Sequence, residues 1–313
     1  MIRIFKTEDG TIHEKQEMQP GSWIALTNPT ASEIIDVADA CRIDPDHLKA
    51  PLDEEERSRI EAEDEYTLIL VDIPSIEERN GKDWFVTIPM AIITTRDVLI
   101  TVCLEETPIL SAFMDGRVRD FHTFMKTRFI LQILYKNATQ YLQYLRIIDK
   151  KSEVIERKLH QSQKNEELIE LLELEKSLVY FTTSLRSNEV VLEKLLRTEK
   201  IKKYPEDTDL LEDVIVENKQ AIEMAGIYSG ILSGTMDAFA SVISNNLNIV
   251  MKFLATVTIV MSIPTMVASF YGMNVNSRGM PFANHPYGFV IVLGFALALS
   301  LLVAYIFNKK DLF

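Results

Sequence analysis

The chain has few of the residues from which catalytic and metal centres are usually built. It contains two cysteines and five histidines among 313 residues, and neither type shows metal-ligand spacing. Cys41 and Cys103 therefore predict reduced, buried thiols. The sequence also has no phosphate-binding loop, nucleophile elbow or paired carboxylates at a recognisable spacing. These absences argue against an enzyme.

A basic surface is missing too. Residues 247–313 carry a net charge of +3, so the total of −13 leaves −16 on residues 1–246. Nucleic-acid binding draws most of its affinity from basic side chains, so we expect no nucleic-acid partner. The acidic part fits a domain that handles cations, but many cytosolic domains are acidic, which favours ordinary solubility as the explanation. Residues 1–17 lack an apolar core of signal-peptide length, so we expect no secretion.

What the chain does contain is a pair of long apolar segments without charges, Phe253–Tyr271 and Tyr287–Phe307. Each is long enough to cross a hydrocarbon core of about 30 Å as a helix. They predict a transmembrane hairpin over 251–313, with spans at about 251–271 and 287–307 and a loop at 272–286.

Basic residues flank this hairpin. Lys252 precedes the first span, and Lys309 and Lys310 follow the second, whereas the loop has only Arg278. Such flanks predict that both the N- and C-termini are cytoplasmic. We expect a multi-pass protein of the plasma or inner membrane, in contact with lipid.

The first third of the chain has the pattern of a cytoplasmic α/β domain, which we place at residues 1–118. A capping box at Thr30–Glu33 predicts the start of an amphipathic helix, and Asn80-Gly81 between two apolar runs predicts a hairpin turn. Short runs rich in β-branched residues predict five strands, at Met1–Phe5, Trp23–Thr27, Thr67–Ile73, Thr87–Ile93 and Val98–Cys103.

From about residue 120 the apolar spacing becomes helical. Residues 121–164 and 166–200 predict two long helices that pack as an antiparallel pair within 119–205. Between Pro205 and Pro264 there is no proline, which predicts one helix from about Leu210 to about Phe270. Its first part, 206–250, would form a stalk that continues into the first span. The predicted fold class is an α+β membrane protein with an N-terminal α/β cytoplasmic domain, long antiparallel helices, one very long stalk helix and two spans.

One face of the long helix carries mostly small or polar residues. Steps of four and three give a mean of 3.5 residues, the period of helices that supercoil around one another. This stripe consists of Gly230, Gly234, Asp237, Ser241, Ser244, Asn248, Met251, Ala255, Thr258, Ser262, Thr265, Ser269 and Gly272.

Two interpretations of the stripe remain open. Small and hydroxyl residues favour close helix–helix contacts in membranes. Alternatively, the stripe lines a pore formed by one copy of this helix from each of several subunits, because two spans cannot enclose a channel. In a pore, Met251 and nearby Leu254 would form an apolar constriction. With no charge within the membrane, such a pore suits an ion that keeps its water shell.

The first span ends in Tyr271-Gly272-Met273-Asn274, followed closely by a second span and a basic C-terminus. At these residues the chain resembles the CorA family of divalent-cation transporters. The resemblance implies a homopentamer in which the selectivity loop consists of Tyr271, Gly272, Met273 and Asn274, with Asn274 as the first contact for hydrated Mg²⁺. It also places Asn248, Met251, Leu254 and Thr265 on the pore.

The resemblance further implies that Asp237 belongs to a regulatory metal site at the subunit interface. The chain departs from the family at the partner acid, since Ala50 lies near the expected position; Asp53, in the acidic run 53–56, is our candidate substitute. The loop 275–287 contains no Asp or Glu, which leaves the preference among Mg²⁺, Co²⁺, Ni²⁺ and Zn²⁺ open.

The predicted function is a homopentameric channel that passes hydrated Mg²⁺ down its electrochemical gradient into the cytoplasm and is gated by intracellular Mg²⁺. One alternative is a transporter of Zn²⁺, Co²⁺ or Ni²⁺ with the same architecture. A second is a non-conducting, membrane-anchored sensor.

Overall fold

The computed structural model describes residues 1–79, 81–162, 165–198, 205–274 and 279–309. It divides into two compact units, Met1–Thr235 and Met236–Phe313. The strands are β1 Ile2–Glu8, β2 Thr11–Lys15, β3 Trp23–Thr27, β4 Arg59–Ala62, β5 Tyr66–Arg79, β6 Lys82–Thr95 and β7 Leu99–Cys103. The α-helices are α1 Ala31–Cys41, α2 Pro45–Lys49, α3 Pro108–Met114, α4 Lys126–Ser162, α5 Asn165–Arg197, α6 Pro205–Tyr271 and α7 Gly288–Lys309.

The first unit is built on one seven-stranded sheet with the order β2-β1-β3-β7-β6-β5-β4. Neighbouring strands are antiparallel except for β3 and β7, which are parallel. The long hairpin of β5 and β6 turns at Gly81, whose φ of +74° is in the left-handed region that glycine adopts without steric penalty. Asn80, the other residue of the predicted turn, lies outside the described residues.

Both faces of the sheet are covered, so its central strands are apolar on both sides. In β5, Ile69 and Val71 face a core formed with α3, α4 and α5. Leu68 and Leu70 alternate with them and face a second core formed with α1 and α2. The predicted capping box starts α1, where Thr30 and Glu33 each bond the other's backbone N–H.

Helices α4 and α5 pack as an antiparallel pair, as the sequence predicts. The rings of Tyr141 and Phe181 meet edge to face at 5.1 Å. Near the tip of the β5–β6 hairpin, Lys151 of α4 pairs with Asp83, and Lys82 pairs with Glu170 of α5. The link between the helices, Gln163 and Lys164, lies outside the described residues.

Helix α6 contributes to both units. In the first unit its buried residues follow a seven-residue repeat and include Leu211, Asn218, Ala225 and Leu232. Asn218 donates a hydrogen bond from Nδ2 to the Leu185 carbonyl at 3.1 Å, which ties α6 to α5. In the second unit α7 has buried Ala296 and Ser300, and the Ser300 hydroxyl donates to the Ala296 carbonyl at 2.9 Å.

The predicted fold class is confirmed, and two helix boundaries are corrected. Helix α4 begins at Lys126 and not at Phe121, because Thr7 and Thr123 exchange backbone-to-hydroxyl hydrogen bonds of 3.0 and 3.1 Å that hold the preceding segment outside the helix. Helix α6 begins at Pro205 and not near Leu210, since proline is well suited to a first helical position. All five predicted strands are present, but β5 and β6 have 14 residues each and extend well beyond the predicted Thr67–Ile73 and Thr87–Ile93. Strands β2 and β4 are additional.

Candidate ion-conduction site

Among the described residues, two helices carry segments that are long and apolar enough to cross a membrane. The most apolar 18-residue windows of α6 and α7 have mean hydropathies of 1.8 and 2.7, and only 6% and 11% of these windows are buried. The core helix of a soluble protein would be mostly buried. Apolar surface of this extent instead requires lipid or partner subunits to cover it.

Hydroxyl groups along the predicted stripe are bonded to their own helix. Thr258 Oγ1 donates to the Leu254 carbonyl at 2.8 Å, and Thr265 Oγ1 donates to the Met261 carbonyl at 3.2 Å. Ser262 Oγ donates to the Ile259 carbonyl at 2.7 Å. Each hydroxyl has one proton and two lone pairs, so these bonds use the proton and leave oxygen lone pairs as acceptors. The stripe therefore presents hydrogen-bond acceptors from exposed side chains.

These hydroxyls share one groove on the surface of α6. Thr258, Ser262, Thr265 and Ser269 line it together, and its other lining residues are Val257, Met261, Met266 and Phe270. The structure thus brings together the four hydroxyl residues that the sequence predicts to line a pore.

Nearer the cytosolic end predicted for the span, the stripe carries larger side chains. Met251 and Leu254 are 56% and 57% exposed, and Asn248 and Ala255 are exposed as well. Exposed Met and Leu are able to form an apolar constriction if copies of this face meet around an axis.

The end of α6 presents the predicted selectivity residues. The Gly272 N–H donates to the Ala268 carbonyl at 2.9 Å, and the Met273 N–H donates to the Phe270 carbonyl at 3.4 Å. The Tyr271 hydroxyl donates to the Pro281 carbonyl at 2.7 Å, which links the helix end to the far side of the loop. Asn274 is exposed, and residues 275–278, with Arg278, lie outside the described part.

The two predicted regulatory acids lie in different units. Asp237 is exposed on α6 in the second unit, and its backbone carbonyl accepts a hydrogen bond from Ser241 Oγ at 3.0 Å. Asp53 is exposed in the first unit, where its Oδ1 accepts from the Glu55 N–H at 3.0 Å.

An α+β body that carries two exposed apolar helices is typical of a membrane protein with a large soluble domain. A family model described as "CorA-like Mg2+ transporter protein" matches residues 19–310. The chain therefore belongs to the CorA family, whose members are transporters and not enzymes.

Relatives match over nearly their full length. The cobalt/magnesium transport protein CorA of Methanocaldococcus jannaschii is 27% identical over 297 residues, covering 92% of this chain and 90% of that protein. The protein of the same name from Thermotoga maritima is 22% identical over 324 residues, covering 99% and 88%. The complete structure of the M. jannaschii CorA magnesium transporter superposes with a TM-score of 0.86 at 25% identity, covering 99% of this chain and 98% of that one.

The sequence predicts some of the candidate functional groups and misses others. The hydroxyl-to-carbonyl bonds of the stripe follow from residue type and helical spacing and were open to prediction. A cluster of His47, Glu61 and Glu63 in the first unit was not, because its members are separated in sequence and only the fold brings them together.

Proposed function

We propose that this chain is the subunit of a homopentameric channel that passes hydrated Mg²⁺ into the cytoplasm and is gated by intracellular Mg²⁺. The observation that carries the proposal is the row of back-bonded hydroxyls on α6. Family membership and the names of the relatives, which specify cobalt and magnesium, support a divalent cation as the cargo.

The hydrogen-bond acceptors of the stripe are complementary to the outward-pointing hydrogens of a hydrated divalent ion. Mg²⁺ dehydrates reluctantly, so it is usually bound through retained waters whose hydrogens point outward. Thr258, Ser262 and Thr265 present acceptor lone pairs, and the segment from Phe253 to Tyr271 carries no charge. Asn274 at the outer end would add an amide oxygen as the first contact for the hydrated ion.

An oligomer follows from the number of spans. Two helices per chain cannot enclose a pore, whereas a symmetric ring places the same stripe of every subunit on the axis. The pentameric state comes from the family resemblance.

The proposed gate lies at Met251 and Leu254. In the closed channel these exposed apolar side chains would meet and exclude water from the axis. We propose that intracellular Mg²⁺ bound near Asp237, with Asp53 as the candidate partner from a neighbouring subunit, reduces repulsion between acidic subunits and holds the gate closed. Loss of that Mg²⁺ would let the subunits separate and the pore fill with water.

The membrane potential would drive entry. With Lys252 and Lys309 on the cytoplasmic side, the stalk at 206–250 would lie inside the cell and the loop at 272–286 outside. A divalent ion that moves inward gains about 4.6 kcal/mol per 100 mV, so no nucleotide is needed.

The proposal is tested by uptake into liposomes that contain only this protein. We expect Mg²⁺ uptake in the parent protein and its loss in Asn274→Ala. Asn284→Ala is the matched control, because Asn284 is also an exposed asparagine of the loop region. Parent protein that assembles but passes no divalent ion would instead indicate a non-conducting sensor.

The same assay separates magnesium from the other ions. Cobalt hexammine mimics the hydrated ion, so it should block uptake if the ion keeps its water shell. Uptake of Zn²⁺, Co²⁺ or Ni²⁺ in preference to Mg²⁺, without block by cobalt hexammine, would favour the alternative cargo.

A further inference from the structure

Three side chains with metal-ligating atoms converge in the first unit, away from the residues of the polar stripe in sequence. His47 lies on α2, Glu61 on β4 and Glu63 just after β4. His47 Nε2 is 3.2 Å from Glu61 Oε2, and one ligand atom from each of the three residues lies within 4.8 Å of the others. His47 and Glu61 are half-buried, and Glu63 is exposed, so the cluster is open to an ion from solvent.

The local fold fixes the backbone beneath each member. Asp44 caps α2 by accepting from the Asp46 N–H at 2.9 Å, and Pro45 starts the helix. Glu61 pairs with Leu68 in the β4–β5 ladder, and the Glu63 N–H donates to the Tyr66 carbonyl at 2.9 Å. Residues two apart in an extended segment point to the same face, which places both glutamates beside His47.

Neighbouring polar groups also orient the side chains of His47 and Glu61. The Tyr66 hydroxyl oxygen lies 2.7 Å from His47 Nδ1, and it accepts a hydrogen bond from the Asp44 N–H at 3.2 Å. If Nδ1 donates to this oxygen, Nε2 is left with its lone pair toward the two glutamates. Arg59 binds the other oxygen of Glu61, Oε1, which leaves Oε2 toward His47. Metal-ligating histidines and carboxylates typically have such partners.

The donor set indicates the kind of ion. Zinc with bonds of about 2.1 Å in a tetrahedral site has ligand separations of about 3.4 Å, so small side-chain rotations would close this cluster around an ion. Imidazole suits Zn²⁺, Co²⁺ and Ni²⁺, whereas Mg²⁺ prefers oxygen ligands and waters. We propose that His47, Glu61 and Glu63 form a binding site for a divalent transition-metal ion of the Zn²⁺, Co²⁺ and Ni²⁺ group. This inference does not depend on the proposed channel function.

The test uses Co²⁺ as the probe with the full chain in detergent. Visible absorption of bound Co²⁺ is followed during titration in the presence of excess Mg²⁺, which occupies sites made only of oxygen. We expect one Co²⁺ per chain with a nitrogen ligand, displaced by Zn²⁺. His47→Ala should abolish this signal, and Tyr66→Phe should weaken binding about 10- to 100-fold, the usual effect of removing an outer partner.

His13→Ala is the control, because His13 is on β2 and its Nε2 contacts Thr11 Oγ1 at 2.8 Å. It should bind Co²⁺ as the parent does. Glu61→Gln provides a second ligand variant, and thermal melting without metal identifies any variant that fails to fold. If a well-folded His47→Ala or Glu61→Gln bound Co²⁺ as tightly as the parent, or if the parent bound none, the proposed site would be wrong.

Discussion

At the scale of single residues, the chemistry of the stripe on α6 depends on which atom accepts the hydrogen bond that each hydroxyl group donates. Thr258 and Thr265 donate to carbonyls four residues earlier, and Ser262 donates to a carbonyl three residues earlier. A hydroxyl that has donated its proton in this way interacts with its surroundings as an acceptor. The water molecules around a hydrated cation point their hydrogens outward, so acceptor oxygens on the helix can bind the hydrated ion without a charged side chain.

Thr258 allows a direct test of this acceptor role. Thr258→Val has nearly the same shape but no hydroxyl, so each subunit loses one acceptor along the path. Because a pentameric ring loses this acceptor in every subunit, Mg²⁺ uptake should fall by at least the roughly 2- to 10-fold that corresponds to about 0.5–1.5 kcal/mol for one hydrogen bond. Thr258→Ser keeps the hydroxyl and should retain most of the uptake. Equal uptake by the valine and serine variants would contradict an acceptor role.

Asp237 offers a second test at this scale. Asp237→Lys replaces the proposed Mg²⁺ ligand with a fixed positive charge, so the closing effect of intracellular Mg²⁺ should be lost. The measurement is current or uptake as internal Mg²⁺ is raised. Asp213→Lys is the control, because Asp213 is also exposed on α6. If Asp237→Lys remained as sensitive to internal Mg²⁺ as the parent, the gating role of Asp237 would be refuted.

At the scale of secondary-structure elements, a buried polar network joins β5 to α4 and α5. The Asp72 carbonyl accepts from Asn137 Nδ2 at 2.9 Å, from Tyr141 Oη at 3.2 Å and from Asn188 Nδ2 at 2.7 Å. Asn188 Oδ1 accepts in return from the Asp72 N–H at 2.9 Å. The network fixes the register of both helices on the sheet.

The Asp72 carboxyl makes the stability of this network depend on pH. Burial raises its pKa above the ordinary value of 3.8, although hydrogen bonds from Ser184 and Ser58 partly oppose the shift. Between 3.8 and the raised pKa the folded state binds more protons than the unfolded state, so stability falls as pH rises through that window. At neutral pH the half-buried carboxylate is therefore destabilising.

Asp72→Asn should raise the melting temperature at pH 7 and remove this part of the pH dependence. Thermal melting of the full chain in detergent at pH 7 and near pH 4 measures both effects. Asp36→Asn, at an exposed position on α1, is the control and should change neither. A lower melting temperature for Asp72→Asn at pH 7 would show that its hydrogen bonds outweigh the burial of its charge.

The secondary-structure elements differ in how much of each the sequence alone predicts. The run Thr67–Ile73 is rich in β-branched residues, so its composition suffices to predict the first half of β5, which continues to Arg79. Strand β4 has only four residues, Arg59–Ala62, two of them charged, and its strand structure comes from pairing with β5. Phe121 lies at helical spacing yet falls outside α4, because it packs against Trp23, Phe113 and Phe129.

The candidate functional residues also include some that the sequence predicts and some that it does not. The stripe was predictable, since it lies on one helix and its spacing is visible in the sequence. The cluster of His47, Glu61 and Glu63 was not, because β4 must pair in its observed register before the glutamates meet the histidine. No local sequence motif indicates this cluster, because it depends on how several elements pack together.

At the scale of the whole molecule, the proposed channel requires the stripe on α6 to face water along an ion path, and not lipid or a neighbouring helix. Cysteine modification can test this claim in the natural background. Cys103 is buried as predicted, whereas Cys41 is only half-buried. Desolvation still raises the pKa of both thiols to about 11, so both are almost entirely protonated and poorly reactive at neutral pH. A single introduced cysteine would then account for most of the effect of a thiol reagent on Mg²⁺ uptake.

The most direct measurement is Mg²⁺ uptake by Thr265→Cys before and after treatment with a charged, water-soluble thiol reagent. Val267→Cys is the matched control, because a step of two residues turns the helix by about 200° to the opposite face. If the stripe lines the ion path, the reagent should abolish uptake in Thr265→Cys and leave uptake in Val267→Cys unchanged. Unchanged uptake in modified Thr265→Cys, or block only in Val267→Cys, would contradict this role of the stripe.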